Sequence, residues 1–120
     1  MPPENRLLSY IVDMVVAITT ITDYISGMKF EDFKADDRVK SAVKWQFIII
    51  GEAANRLTPE FITHHSHIPW HEIRGMRNRL AHEYDKLDDR ILWETIQQNL
   101  PTLLSQLLGL IPQSPDTSPS

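Results

Sequence analysis

The sequence predicts an all-α protein: an up-and-down bundle of four main helices with one short extra helix. Three observations lead to this class. Apolar residues recur at spacings of three and four through long segments, as they do along one face of a helix. There are only four glycines in 120 residues, so few turns interrupt those segments. The eight prolines lie mostly at the two ends and at breaks between apolar stretches, where a residue without an N–H does least harm to a helix.

The first helix is expected from about Glu4 to Met28. Leu7, Leu8, Ile11, Val15, Ile18, Ile21 and Ile25 share one face, and Gly27 lies near the expected stop. FEDFKADD then reads as a polar connector with two aromatic anchors. A second helix, about Ala35 to Leu57, would bury Val39, Ala42, Val43, Phe47, Ile50 and Ala54. Thr58-Pro59-Glu60 opens the short extra helix, with threonine as the cap and proline in the first helical position. HHSHIP follows as a loop, and Pro69 leads into a third long helix from Trp70 to Tyr84. After DKLDD, Asp88 caps a last helix from Asp89 to about Leu108, with Leu87 able to pack on Leu92 as a staple. This helix carries Ile91, Leu92, Ile96, Leu100, Leu103, Leu104 and Leu107, and Pro101 should kink or split it. Residues 1–110 thus form one helical domain, and 111–120 are expected to be a disordered, polar, proline-rich tail.

Apolar residues make up 42% of the chain and charged residues 23%, as in ordinary globular domains. The formal net charge is −4, so any contact with nucleic acid must be local. Arg74, Arg77 and Arg79 provide one such locality. The absence of cysteine excludes a disulfide framework and thiolate metal sites. Asp13 interrupts the N-terminal apolar stretch, which does not read as a secretory signal. The longest strictly apolar runs, such as Phe47 to Ile50, are too short to span a bilayer. A cytoplasmic protein without a membrane partner is expected.

RNRLAHEY, from Arg77 to Tyr84, is the stretch whose polar residues are hardest to read as simple surface. At about 100° per residue, Leu80, Met76 and Tyr84 share the apolar stripe of Ile73, whereas His82 lies about 180° away. Arg77 falls about 40° from Ile73, at the edge of that stripe, where a guanidinium needs partners or a route back to water. Asn78 and Arg79 flank His82. In a regular helix of a lone chain, Arg77 and His82 cannot meet one small substrate. They can meet if the helix breaks near Gly75, or if a twofold axis brings two copies together. The spacing equally fits the polar side of an ordinary amphipathic helix.

PWHEIRGMRNRLAHEYDKLD, with IIIGEAANRL before it and ILWETIQQNLPTLLSQL after it, resembles the HEPN superfamily (higher eukaryotes and prokaryotes nucleotide-binding domain). Within it, the chain is most similar to the HepT-like ribonuclease toxins of toxin–antitoxin pairs. The resemblance covers nearly the whole chain. Its most specific element is an arginine, a histidine five positions on and a tyrosine two further, here Arg77, His82 and Tyr84, with Asn78 as the polar residue after the arginine. It implies a metal-independent endoribonuclease that works without a cofactor as a homodimer, with Arg77 and His82 of both copies lining an interface cleft. His82 would exchange protons with the ribose 2′-hydroxyl and the leaving oxygen, Arg77 would hold the phosphorane oxygens, and Asn78 would orient the phosphate or His82. The partner implied is a minimal nucleotidyltransferase antitoxin that attaches AMP to Tyr84. A catalytically silent HEPN module that binds a nucleotidyltransferase or nucleotides is the alternative, and a plain helical scaffold a third.

Other residues have simpler readings. Glu52 lies beside the apolar stripe of the second helix, where it could pair with Arg77 or Arg74 and orient the site; with Arg74 and Arg79 it is a supporting candidate. His64, His65, His67 and His71 form the only histidine-rich tract. Pro69 separates the one pair spaced as helical zinc ligands, so a solvated loop is expected rather than a metal site. Trp45, Trp70 and Trp93 are expected to be core or dimer anchors rather than base-stacking platforms.

Overall fold

The structure is a computed structural model that describes residues 3–112, with side chains from Arg6 onward. It is all-helical, with no strand among the described residues. The expected tail falls largely on residues 113–120, which lie outside them. Four long units form the body: α1 (Pro3–Tyr24), α3 (Asp37–Asn55), α5 (Trp70–Glu83), and a run of α6 (Asp89–Glu94), a π-helical turn (Thr95–Asn99) and α7 (Leu100–Leu108). Two short helices rather than one complete it, α2 (Phe30–Ala35) and α4 (Pro59–His64). α1 packs along α3 and α7, α3 along α5, and α2 against α3 and α6. The thinnest dimension is 24 Å, which is two helix layers at about 10–12 Å each.

Local rules explain most boundaries. α1 ends at Tyr24 rather than near Met28, because Gly27 adopts a left-handed φ of 79° that side-chain-bearing residues rarely take. The Thr58 hydroxyl accepts from the Phe61 N–H at 3.2 Å, and Pro59 opens α4. Asp88 accepts from the Arg90 N–H at 2.7 Å at the start of α6, with Leu87 and Leu92 both buried beside it. Pro101 splits the last helix, as its missing N–H requires. The preceding turn loosens to π geometry, with the Leu100 N–H donating to the Thr95 carbonyl, and α7 restarts with proline in its first turn.

The FEDFKADD expectation was too simple. This segment is the helix α2, closed by Asp32, whose carboxylate accepts from the Lys29 N–H at 2.9 Å. Asp36 then caps α3, accepting from the Val39 N–H at 3.0 Å. Tertiary contact holds α2 in place: Phe33 is fully buried with its ring 5.3 Å from Trp93.

The core joins Ile11, Ile18 and Ile21 of α1 to Val43, Phe47, Ile50 and Ala54 of α3, Ile73 and Leu80 of α5, and Leu92, Ile96, Leu100, Leu103 and Leu107. Ile91, expected inside, is exposed, since the apolar stripe there is wider than the surface it meets. Trp70 is buried and Trp93 packs on Phe30 and Phe33, whereas Trp45 is exposed. The stretch Arg6–Tyr24 is long and apolar enough by composition to cross a membrane. Here Ile11, Met14, Ile18 and Ile21 instead bury their side chains almost completely in the core.

The histidine tract lies between α4 and α5. His65 stacks on Phe61 with ring centres 4.5 Å apart, and its carbonyl accepts from the Trp70 indole N–H at 2.9 Å. Burial, and then the neighbouring His64 and His67, push the His65 pKa below its ordinary value. Unfolded His65 therefore gains its proton at higher pH than folded His65. Its share of stability is complete above about pH 6.5 and is lost as pH falls through the depressed native value. Melting temperature is expected to drop between pH 7 and pH 5, and His65→Gln to flatten part of that drop. The same slope in both proteins would rule this out.

Candidate functional site

The site is built on α5, and two contacts with α3 decide how that helix lies. The first is in its middle. A Cβ placed on Gly51 would overlap Cβ of Arg77 and stand 2.5 Å from its Cγ. Gly51 thus lets α5 approach closely enough for the Arg77 stem to lie on the α3 backbone. The guanidinium then reaches the rim, where its Nε donates to Glu52 Oε1 at 3.0 Å and its Nη2 donates to the same oxygen. Nη1 donates to Asn78 Oδ1 at 3.4 Å. With the Arg77 and Glu52 side chains 30% and 45% exposed, the pair adds little stability. Its effect is to fix where the guanidinium points.

The second contact is at the C-terminal end. Lys44, only 8% exposed, donates to the Tyr84 carbonyl at 2.8 Å and places its ammonium 4.7 Å from the centre of the Tyr84 ring. A cation at this end satisfies a free carbonyl and suits the helix dipole. The Tyr84 hydroxyl makes a long bond, 3.4 Å, to the Ser41 carbonyl. Tyr84 is thus packed on α3 with its oxygen at the edge of a cavity of about 690 Å³ that Lys40, Lys44, Asp85 and Asp89 also line. Burial disfavours the Lys40 charge, but hydrogen bonds and attraction from Asp89 and Asp37 outweigh it and raise the Lys40 pKa.

With α5 held at both points, the remaining candidates fall into place. Glu52, Arg77 and Asn78 come together; of the two arginines offered to Glu52, Arg77 is its partner. Arg74 is partly buried, with its Nε lacking a hydrogen-bond partner among the described residues. His82 and Arg79 are exposed on the side away from α3. α5 runs unbroken through Gly75, so no interruption brings Arg77 and His82 together within one chain. Beside the Glu52–Arg77 pair, Trp45, Ile48 and Ile49 form an apolar rim with Tyr10 around a shallow hollow of about 260 Å³.

Among the described residues, no group of three or more His, Asp or Glu is placed to hold a metal ion. Lys44 and Gly51, which set how α5 lies on α3, are positions that motif reasoning passed over. They stand seven residues apart on α3 and so share the face that meets α5. That spacing was the available signal, but it has meaning only once α5 is known to lie there.

The profile of the family described as Ribonuclease HepT-like matches residues 14–108. A candidate RNase of Caldanaerobacter subterraneus subsp. tengcongensis is 41% identical over 91 residues, covering 76% of this chain and 81% of that protein. The protein named Probable ribonuclease HepT of Thermococcus cleftensis is 37% identical over 94 residues, 78% of this chain and 86% of its own. A candidate RNase of Methanocaldococcus jannaschii is 27% identical over 109 residues, 91% of this chain and 90% of that one. No solved structure gives a match.

Proposed function

Since the chain belongs to the HepT-like ribonuclease family, we propose that it is a metal-independent endoribonuclease acting as a homodimer, the toxin of a toxin–antitoxin pair in the cytoplasm. One observation carries the dimer: α5 is regular, with Arg77 held on α3 by Glu52 and His82 in solvent on the other side. A twofold axis beside α5 would bring Arg77 of one copy toward His82 of the other. Trp45, 58% exposed beside Glu52, offers an anchor of the kind that interfaces favour.

In the shared cleft, one His82 takes the proton of a ribose 2′-hydroxyl as its oxygen attacks the adjacent phosphorus. The second His82 protonates the departing 5′-oxygen, leaving a 2′,3′-cyclic phosphate and a free 5′-hydroxyl. Arg77 donates to the phosphorane oxygens, with Asn78 keeping the guanidinium in line. The need for a 2′-hydroxyl selects RNA over DNA.

Regulation falls to a minimal nucleotidyltransferase partner, the antitoxin, on which the Tyr84 oxygen attacks the α-phosphorus of ATP, gaining AMP as pyrophosphate leaves and the phenolic proton is released. The weakly held hydroxyl and the open cavity beside it leave room for that group. The test is cleavage of RNA by purified protein in the presence of a chelator. Arg77→Ala should lower the rate by about 10²- to 10³-fold, and variant and wild type cutting equally fast would sink the reading. Co-expression with the transferase should add an adenylyl mass that Tyr84→Phe abolishes. The engagement of Arg77 with Glu52 and Asn78 favours the second reading, a silent binding module; absence of cleavage with intact transferase binding would establish it.

A further inference from the structure

α5 lies close along α3 on one flank, while on the other the backbone of the last helix lies farther off. Between them a cavity of about 560 Å³ opens at the surface. Its floor is the edge of the core, Phe47, Ile50, Ile73 and Leu103, with Met76 beside them. The rim is polar: Glu72 on α5, Gln98 and Asn99 on the π-helical turn, and Gln106 on α7. A cavity of this size, apolar inside with a few polar groups at its mouth, suits a small ligand. Single π-helical turns also recur at functional sites. The cavity is clear of the dimer contact proposed above. Around α5, Arg77 and His82 centre about 110° from Ile73 in one direction, whereas Met76 and Glu72 lie about 60° and 100° from it in the other.

The charge of the lining narrows the ligand. Glu72 is the one carboxylate there, and no lysine or arginine lines the cavity. Glu72 is exposed and makes no ion pair with a described residue. Gln106 donates from Nε2 to the His67 carbonyl at 3.3 Å. Its Oε1 is shielded from solvent and has no hydrogen-bond partner among the described residues. A shielded acceptor without a donor is costly, and a small turn of this half-buried amide would present it to a donor in the cavity. The lining thus offers acceptors and a single negative charge. Phosphates and other anions are disfavoured, and a polyamine would leave its further charges unpaired against apolar walls.

We propose that this cavity binds a small organic monocation, a primary amine or amidine carried on an apolar body. The cationic head pairs with the Glu72 carboxylate, its remaining N–H groups meet the side-chain oxygens of Gln106 and Asn99, and the apolar body covers Phe47, Ile73 and Leu103. Bound there, the ligand ties α5 to the last helix. The binding does not rest on the ribonuclease reading.

The probe is benzamidine, titrated into the full chain and followed by two-dimensional amide NMR, with benzamide and benzoate as its neutral and anionic counterparts. Benzamidine should bind with a dissociation constant of about 1 mM, as expected of so small a ligand, and should shift the amides of Glu72 to Met76 and of Thr95 to Gln106. Benzamide should bind about tenfold more weakly, and benzoate not at all. Glu72→Gln should cost benzamidine about tenfold in affinity and leave benzamide unaffected. Its melting temperature should match that of wild type, because the Glu72 side chain is exposed and unpaired. Thr102→Trp, at an exposed position on the lip, should close the cavity to both probes. Equal benzamidine affinity in wild type and Glu72→Gln would overturn the site, as would benzoate binding as tightly as benzamidine. Absence of saturable binding by wild type, or shifts centred elsewhere in the chain, would overturn it too.

Discussion

Replacing His82 by alanine is expected to slow RNA cleavage by about 10²- to 10⁴-fold, the range lost with a general acid or base. The fold should hardly notice. His82 is exposed and makes no side-chain hydrogen bond with a described residue, and surface changes of this kind usually stay within about 0.5 kcal/mol. Cleavage and melting temperature, measured on the same preparation, thus separate chemistry from stability. A sharper version uses mixed dimers with one wild-type chain and one His82→Ala chain. If one imidazole serves as base and the other as acid, such a dimer lacks one of the two roles and should lose at least about tenfold. A rate near half that of wild type would mean that each chain acts alone, and the shared cleft would have to be given up.

Gly51→Ala should have the largest effect on the body of the protein and reach the site through it. The added methyl would meet Cβ and Cγ of Arg77. These atoms are set by the backbone and first torsion of α5, so the guanidinium tip cannot swing aside to relieve the overlap. α5 must move off α3, stretching the 3.0 Å bond of Arg77 to Glu52 and the 2.8 Å bond of Lys44 to the Tyr84 carbonyl. Overpacking of this kind typically costs about 1–3 kcal/mol. Chemical denaturation should therefore show a clear loss, together with a fall in cleavage larger than the unfolded fraction explains. Gly75→Ala is the control within the same helix, since it meets nothing. Equal stability of Gly51→Ala and wild type would show that the two helices do not need their close approach.

Features governed by residues a turn or two apart were legible in the chain. The helical class followed from apolar spacing, the starts of α4 and α6 from Thr58 and Asp88, and the split near Pro101 from a missing N–H. The edge position of Arg77 was legible too, and with it the need for a partner; Glu52 was expected to pair with Arg77 or Arg74, and it pairs with Arg77. α2 was missed because its polar sequence gains its stability from Phe33 docking on Trp93, about sixty residues away. Ile91 was misplaced because a stripe shows which face is apolar, not how wide a surface will cover it.

Local spacing was thus enough for the long helices, the direction of their apolar stripes and the opposed directions of Arg77 and His82, all consequences of one backbone period. That Gly51 admits the Arg77 stem, that Lys44 holds the end of α5 and that Gly75 faces open space came from the packing of the helices. Those depend on where two helices distant in sequence come to lie against each other, and no local period carries that information.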